Sequence, residues 1–177
     1  MRGTAAVFDT ALGRCRVAWN TDGLTAVRLP DAAGDEPVTP DHAAALADAP
    51  PFVRDAVSRM QALLAGEPVR LHDLPLDMSG IEPFARAVYA AAQRLEPGET
   101  CTYGELAARI GQAGDPGAAR AVGQALGRNP WPLVVPCHRV LAAGGKLGGF
   151  SAPGGAATKR RLLVIEAAMR PRAGELF

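Results

Sequence analysis

Between residues 4 and 30, apolar and polar positions come in three short β-rich runs, TAAVFDT, GRCRVAWN and GLTAVRLP. Turn signals at Leu12-Gly13 and Asp22-Gly23 separate them. Runs of this length bounded by glycine turns predict a small antiparallel meander. DAAGDEPVTPD (31–41) has no period and reads as a loop. PFVRDAVSRMQALLAGEP (51–68) places apolar residues at 52, 53, 56, 57, 60, 63 and 64, which is helical spacing, and Gly66 and Pro68 stop it. DLPLDMS (73–79) predicts one strand returning to the sheet.

A boundary is expected at Ser79-Gly80, dividing the chain into units 1–79 and 80–177. Beyond it the period becomes helical. EPFARAVYAAAQRLEPGE (82–99) predicts a helix ended by Pro97-Gly98. TYGELAARIG (102–111) predicts a short helix, with Thr102 and Glu105 spaced as a capping box. After the turn GQAGDPG, PGAARAVGQALGRNP (116–130) predicts a second short helix, so the pair suggests a helix-turn-helix. WPLVVP (131–136) has the unbroken apolar character of a buried strand. A glycine-rich loop (142–159) and a closing helix, TKRRLLVIEAAM (158–169), follow. No internal repeat is present.

Composition sets the class. A chain of 177 residues, 48% hydrophobic and 21% charged, can bury a core without disulfide or metal staples. The three cysteines, Cys15, Cys101 and Cys137, are widely spaced, which supports neither a disulfide framework nor a zinc site. The first residues do not resemble a signal peptide, and no apolar run is long enough to span a bilayer. A reducing cytoplasm is the expected setting. The net charge of +1 hides an asymmetry: residues 1–80 carry seven Lys/Arg against eleven Asp/Glu, and residues 81–177 carry twelve against seven. The second half is therefore a candidate for contact with a polyanion.

Two places concentrate chemistry. The helix GAARAVGQALG (117–127) has a face almost without side chains, with Arg120 as its one long cation. Small residues allow close backbone approach, either to a packed helix or to a DNA minor groove. Cys137 follows Pro136 and precedes His138 and Arg139. A nearby imidazole and cation would favour a thiolate. Neighbouring side chains rarely point at one another, so His138 is expected to act through a water or another group. A cysteine nucleophile needs its base oriented by a third group. Glu166 is the only acid between 116 and 174 and is the candidate. The alternative for Cys137 is a small hydrophobe at a strand end.

NPWPLVVPCHRVLAAGGKLGGFS (129–151), with TYGELAARIG and GAARAVGQALGRNP before it, resembles the O6-alkylguanine-DNA alkyltransferases. The likeness is strongest from Pro83 to Glu166 and weak over the first 79 residues. It implies an α/β protein with a ribonuclease H-like amino-terminal sheet and helix. A mainly helical, winged-helix-like carboxy-terminal domain would carry the helix-turn-helix. It further implies that a damaged guanine is flipped out through the minor groove. In that reading Cys137 is the alkyl acceptor, His138 a water-mediated base held by Glu166, and Tyr103 an aid to the leaving guanine. Asn129 braces the active-site turn, Ser151 lies near O6, and the carbonyls of Cys137 and Val140 read the guanine amino group. Ala118, Ala119 and Gly123 give close approach to DNA, Arg120 fills the vacated stack, and Arg128 adds a DNA contact.

The resemblance also implies direct alkyl transfer without cofactor or metal, one lesion per protein molecule. The partner would be double-stranded DNA bearing O6-alkylguanine. A monomer is expected, with cooperative assembly on DNA left open. Phe150 stands where the family commonly has tyrosine, and SAPGGAATK is about two residues longer than the family's shortest loops. Both border the alkyl pocket. Three other classes stand beside it: a lesion-binding sensor, against which the presence of Cys137 argues; a transcription regulator, which would carry additional amino-terminal segments; and a thiol hydrolase using Cys137 and His138.

Overall fold

The structure, a computed structural model, describes residues 4–30, 37 and 39–169. It is a mixed α/β fold. Strands β1 (Thr4–Thr10), β2 (Gly13–Trp19) and β3 (Leu24–Arg28) form the antiparallel meander in the order β1-β2-β3, with Phe8 opposite Cys15 and Val17 opposite Val27. A register shift at Ala18/Trp19 twists the far end of the β2–β3 pair. Gly23, just before β3, has φ 154°, and a Cβ there would lie 2.7 Å from the Pro75 carbonyl oxygen. Only glycine tolerates that approach.

The expected loop at 31–41 lies mostly outside the described residues, but its end is helical. Thr39 caps α1 (Pro40–Ala47) through its side chain, and Pro40 occupies the first turn, where its missing N–H costs nothing. This helix went unread because proline and polar residues masked its start. Helix α2 (Pro51–Leu64) buries Val53, Ala56, Val57, Met60, Leu63 and Leu64 on one face, as its spacing predicts. Burying each of the larger of these contributes roughly 1.5–3 kcal/mol. The strand expected at 73–79 reduces to one bridge, Leu24 to Leu76.

In the second half, α3 (Pro83–Gln93) is followed by β4 (Cys101–Thr102) and α4 (Tyr103–Arg109). The Thr102–Glu105 capping box is present in both directions. Helix α5 (Ala118–Leu126) packs against α3 and α4. The expected strand at 131–136 is absent. Those residues form a buried turn in which Leu133 takes φ 75°. Two prolines, Pro132 and Pro136, remove the ladder donors a central strand needs, so an apolar run became a turn. A 3-10 turn (Cys137–Arg139) leads into β5 (Val140–Leu141), which pairs in parallel with β4, Cys101 opposite Val140.

The closing helix α6 (Gly155–Ala167) starts three residues earlier than its sequence suggests. Gly154, at φ 83°, sets its start; a Cβ there would collide with the Thr158 hydroxyl. Among the described residues, no helix is long and apolar enough to cross a membrane.

One core runs through both halves. The seam between them is hydrogen-bonded as well as apolar. Val27 N donates to Pro130 O at 2.8 Å, and the Trp131 indole Nε1 donates to Leu24 O at 2.7 Å. The meander's edge strand is thereby tied to the turn that carries the cysteine.

Candidate active site

Cys137 is held by its own backbone. Its N–H donates to Val135 O at 2.8 Å, and its carbonyl accepts from Val140 N–H. Asn129 spans the turn from inside: Nδ2 donates to Val135 O at 2.8 Å and Oδ1 accepts Trp131 N at 2.9 Å. The turn is thus fixed at both ends around Cys137, a residue only 6% exposed.

Behind the thiol lies a closed polar cluster. His138 is fully buried, and its Nε2 lies 2.8 Å from Glu166 Oε1. Arg139 grips the same carboxylate with Nε on Oε2 at 2.9 Å and Nη2 on Oε1 at 2.8 Å, while Nη1 donates to Leu95 O at 2.6 Å. Gly98 N adds a fourth donor to Glu166 at 3.1 Å. Burial alone would raise the Glu166 carboxyl. The hydrogen bonds and charges of His138 and Arg139 outweigh burial and hold it down to about 2. Burial pushes His138 below its usual value, against the pull of Glu166, so the imidazole is neutral near pH 7. A neutral ring that donates Nε2–H to the carboxylate presents Nδ1 as an acceptor. Among the described residues Nδ1 has no protein partner.

The cysteine differs from its sequence-level expectation. Burial raises the thiol above its ordinary value, and Asn129 and Lys159 only partly offset this. The cation that acts on the sulfur is Lys159, since Arg139 is committed to Glu166. Lys159 is wholly buried; its Nζ donates to Val140 O at 2.7 Å and Gly149 O at 3.3 Å, and lies 5.9 Å from the Tyr103 ring centre. The sequence reading missed it. Thr158, Lys159, Leu162 and Glu166 share the buried face of α6, and that helical spacing was the available signal.

In front of the thiol is an open pocket of about 560 Å³. Tyr103 of α4, Ala119, Arg120, Gly123 and Gln124 of α5, and Gly149, Phe150 and Ser151 of the loop line it with Cys137. The Tyr103 hydroxyl donates to Gly149 O at a long 3.5 Å, and burial raises its pKa. A Cβ at Gly123 would stand 3.8 Å from the Tyr103 ring, which shows how closely α5 passes over the pocket.

Three expected site residues lie elsewhere. Ala118 faces the core, 4% exposed, because the first turn of α5 packs inward; Ala119 is the pocket-lining alanine. Val140 is fully buried and does not line the pocket, and its carbonyl is engaged by Lys159. Arg128 is exposed beside Phe84 and Tyr89, in a groove between α3 and α5 rather than over the cysteine.

The sequence model of the 6-O-methylguanine DNA methyltransferase DNA-binding domain matches residues 83–168. A methylated-DNA–protein-cysteine methyltransferase of Mycolicibacterium paratuberculosis is 40% identical over 169 residues, covering 96% of this chain and 95% of that protein. The chain belongs to the methylated-DNA–protein-cysteine methyltransferase family. A member from Methanosarcina acetivorans is 37% identical, covering 91% of this chain and 96% of its own. The crystal structure of Mycobacterium tuberculosis OGT in complex with DNA superimposes with a TM-score of 0.73 at 36% identity, covering 95% of each chain.

Proposed function

We propose that the protein repairs O6-alkylguanine in double-stranded DNA by moving the alkyl group to its own Cys137. The observation that carries this reading is a buried thiol between two features: a pocket roofed by a small-faced helix, and a fixed imidazole–carboxylate pair. Helix α5 would lie in the minor groove, with Ala119 and Gly123 giving close approach. Arg120 would hold the space left by the extruded base. The pocket would then receive the guanine.

The Cys137 thiol passes its proton through a water to His138 Nδ1, with Glu166 fixing the tautomer. The raised thiol pKa makes this base necessary near neutral pH. Sulfur attacks the alkyl carbon in line with O6. The S–C bond forms, the C–O6 bond breaks, and the electron pair returns to the guanine. The proton lost by the thiol balances the proton that restored guanine regains, and Tyr103 supports O6 as charge develops. The product is a thioether, which water does not cleave, so each molecule acts once. The balance requires no cofactor.

The finer description of the fold belongs to the same proposal. Units divide near 79/80, the first ribonuclease H-like, the second winged-helix-like with α4 and α5 as its helix-turn-helix. The start of the family match at residue 83 supports that division. A monomer working in a reducing cytoplasm completes the reading, supported by three buried cysteines that form no disulfide among the described residues.

The deciding experiment is intact-protein and peptide mass after incubation with a duplex holding one O6-methylguanine. One methyl on the peptide containing Cys137, with guanine restored, is the expected result. Tight lesion binding without methyl gain would make the protein a sensor, and neither gain nor binding would overturn the reading.

A further inference from the structure

Helix α5 and the turn after it carry their long polar side chains in one row. Arg120, Gln124 and Arg128 follow at four-residue intervals, and all three are exposed. The opposite side of the helix, Ala118, Val122, Ala125 and Leu126, is buried. Arg120 and Gln124 line the larger pocket, in front of the thiol, while Gln124 and Arg128 line the smaller groove between α3 and α5. Gln124 therefore stands on the ridge between the two, one helical turn beyond Arg120. Its neighbours Ala121, Gly123 and Gly127 are too short to screen its side chain. Among the described residues, nothing hydrogen-bonds the side-chain amide.

The two arginines and the glutamine differ in what they can recognise. A guanidinium gains from any phosphate, whatever the sequence. A neutral amide carries an acceptor oxygen beside a donor nitrogen, and each needs a partner of the opposite kind. In the minor groove an A·T pair offers acceptors alone, and a G·C pair adds the guanine amino donor. Both arms of a glutamine amide are thus satisfied only against G·C. Four residues of helix advance about 6 Å, and base pairs stack about 3.4 Å apart. With Arg120 in the vacated stack, Gln124 falls within about two pairs of the lesion. We propose that Gln124 reads the minor-groove edge of a base pair beside the lesion and favours G·C there. The proposal rests on the alkyl-transfer reading above, with α5 in the minor groove. It adds a dependence of repair on flanking sequence and assigns that dependence to one side chain.

The test measures second-order alkyl-transfer rates from duplexes holding one O6-methylguanine. The two pairs on each side are varied one at a time, in both orientations, among G·C, A·T, hypoxanthine·C and diaminopurine·T. Hypoxanthine is guanine without the exocyclic amino group, and diaminopurine is adenine with it. The native protein, Gln124→Ala and Gln124→Met are compared. Position 124 is exposed and both replacements are good helix formers, so the variants should fold as the native protein does. Dividing the native rate by a variant's rate on the same duplex removes the duplex's own stability, which changes with its base pairs. At one scanned position this ratio should be about fivefold higher for the two pairs that carry the amino group than for the two that lack it. A ratio equal across all four pairs at every position, or Gln124→Met rates that follow the native ones, would overturn the proposal while leaving methyl transfer intact. Failure of the native protein to take methyl from any of the duplexes would instead overturn the underlying function.

Discussion

Arg139 and Glu166 form a two-pronged ion pair in the interior, with contacts of 2.8 and 2.9 Å, and the same carboxylate receives His138. The acid of the relay is thus anchored by a neighbour of the base it orients. The Glu166 carboxyl lies near 2 in the folded protein, against 4.5 for the free side chain. Its folded value is depressed, so its stabilising contribution is complete above about pH 4.5 and is lost as pH falls toward 2. Linkage makes this worth about 3 kcal/mol. In Glu166→Gln that acid-dependent portion of stability should vanish, as followed by urea melts at stepped pH. Alkyl transfer should fall about a hundredfold. Arg139→Met, which leaves the buried carboxylate underpaired, should cost about 3 kcal/mol.

Cys137→Ala should abolish alkyl transfer and keep lesion-duplex affinity, measured by mass and by fluorescence anisotropy. Loss of both together would mean that the thiol supports the fold rather than the chemistry.

Arg120 is exposed at the mouth of the larger pocket. Arg120→Ala should slow repair in duplex by about tenfold or more while leaving reaction with free O6-benzylguanine within twofold. Equal losses on both substrates would sink its assignment to holding the vacated stack.

Lys159 lowers the Cys137 pKa against the effect of burial, and its own pKa is pushed down by burial. In Lys159→Met the thiol should become harder to ionise. The alkyl-transfer rate at pH 7 should drop, and the rising limb of the pH–rate profile should move to higher pH. A uniform drop at every pH would indicate disturbed packing instead.

The Trp131 indole donates to Leu24 O, and its ring meets Tyr89 edge-on with centroids 6.0 Å apart. Trp131→Phe keeps a ring but loses the donor, leaving a buried carbonyl one partner short. A loss of about 1–2 kcal/mol is expected from chemical melts, larger than for Phe at an exposed position.

Much of this was readable from the chain. The meander, α2 and the Thr102–Glu105 cap follow from local periods and turn residues, which tertiary contacts did not override. Residues 131–136 were misread because hydrophobic runs do not distinguish a strand from a buried turn; the two prolines were the discriminating residues. Lys159 was missed because a buried cation is defined by its carbonyl partners, at 140 and 149, which sequence spacing does not bring together. The sequence singles out Cys137 with His138 by their adjacency and Glu166 as the only acid between 116 and 174, and the structure places His138 and Glu166 in one buried cluster. The role of Arg139 depends on packing across the whole chain.

The chain has two tryptophans. Trp19 is buried in β2, and Trp131 stands in the cysteine turn, its indole fixed at both edge and donor. That placement gives the protein an optical readout of its own state. In a Trp19→Phe background, all indole emission would come from the turn that alkylation crowds. Spent and unspent molecules would then be distinguishable by light alone, without labelled DNA and in real time.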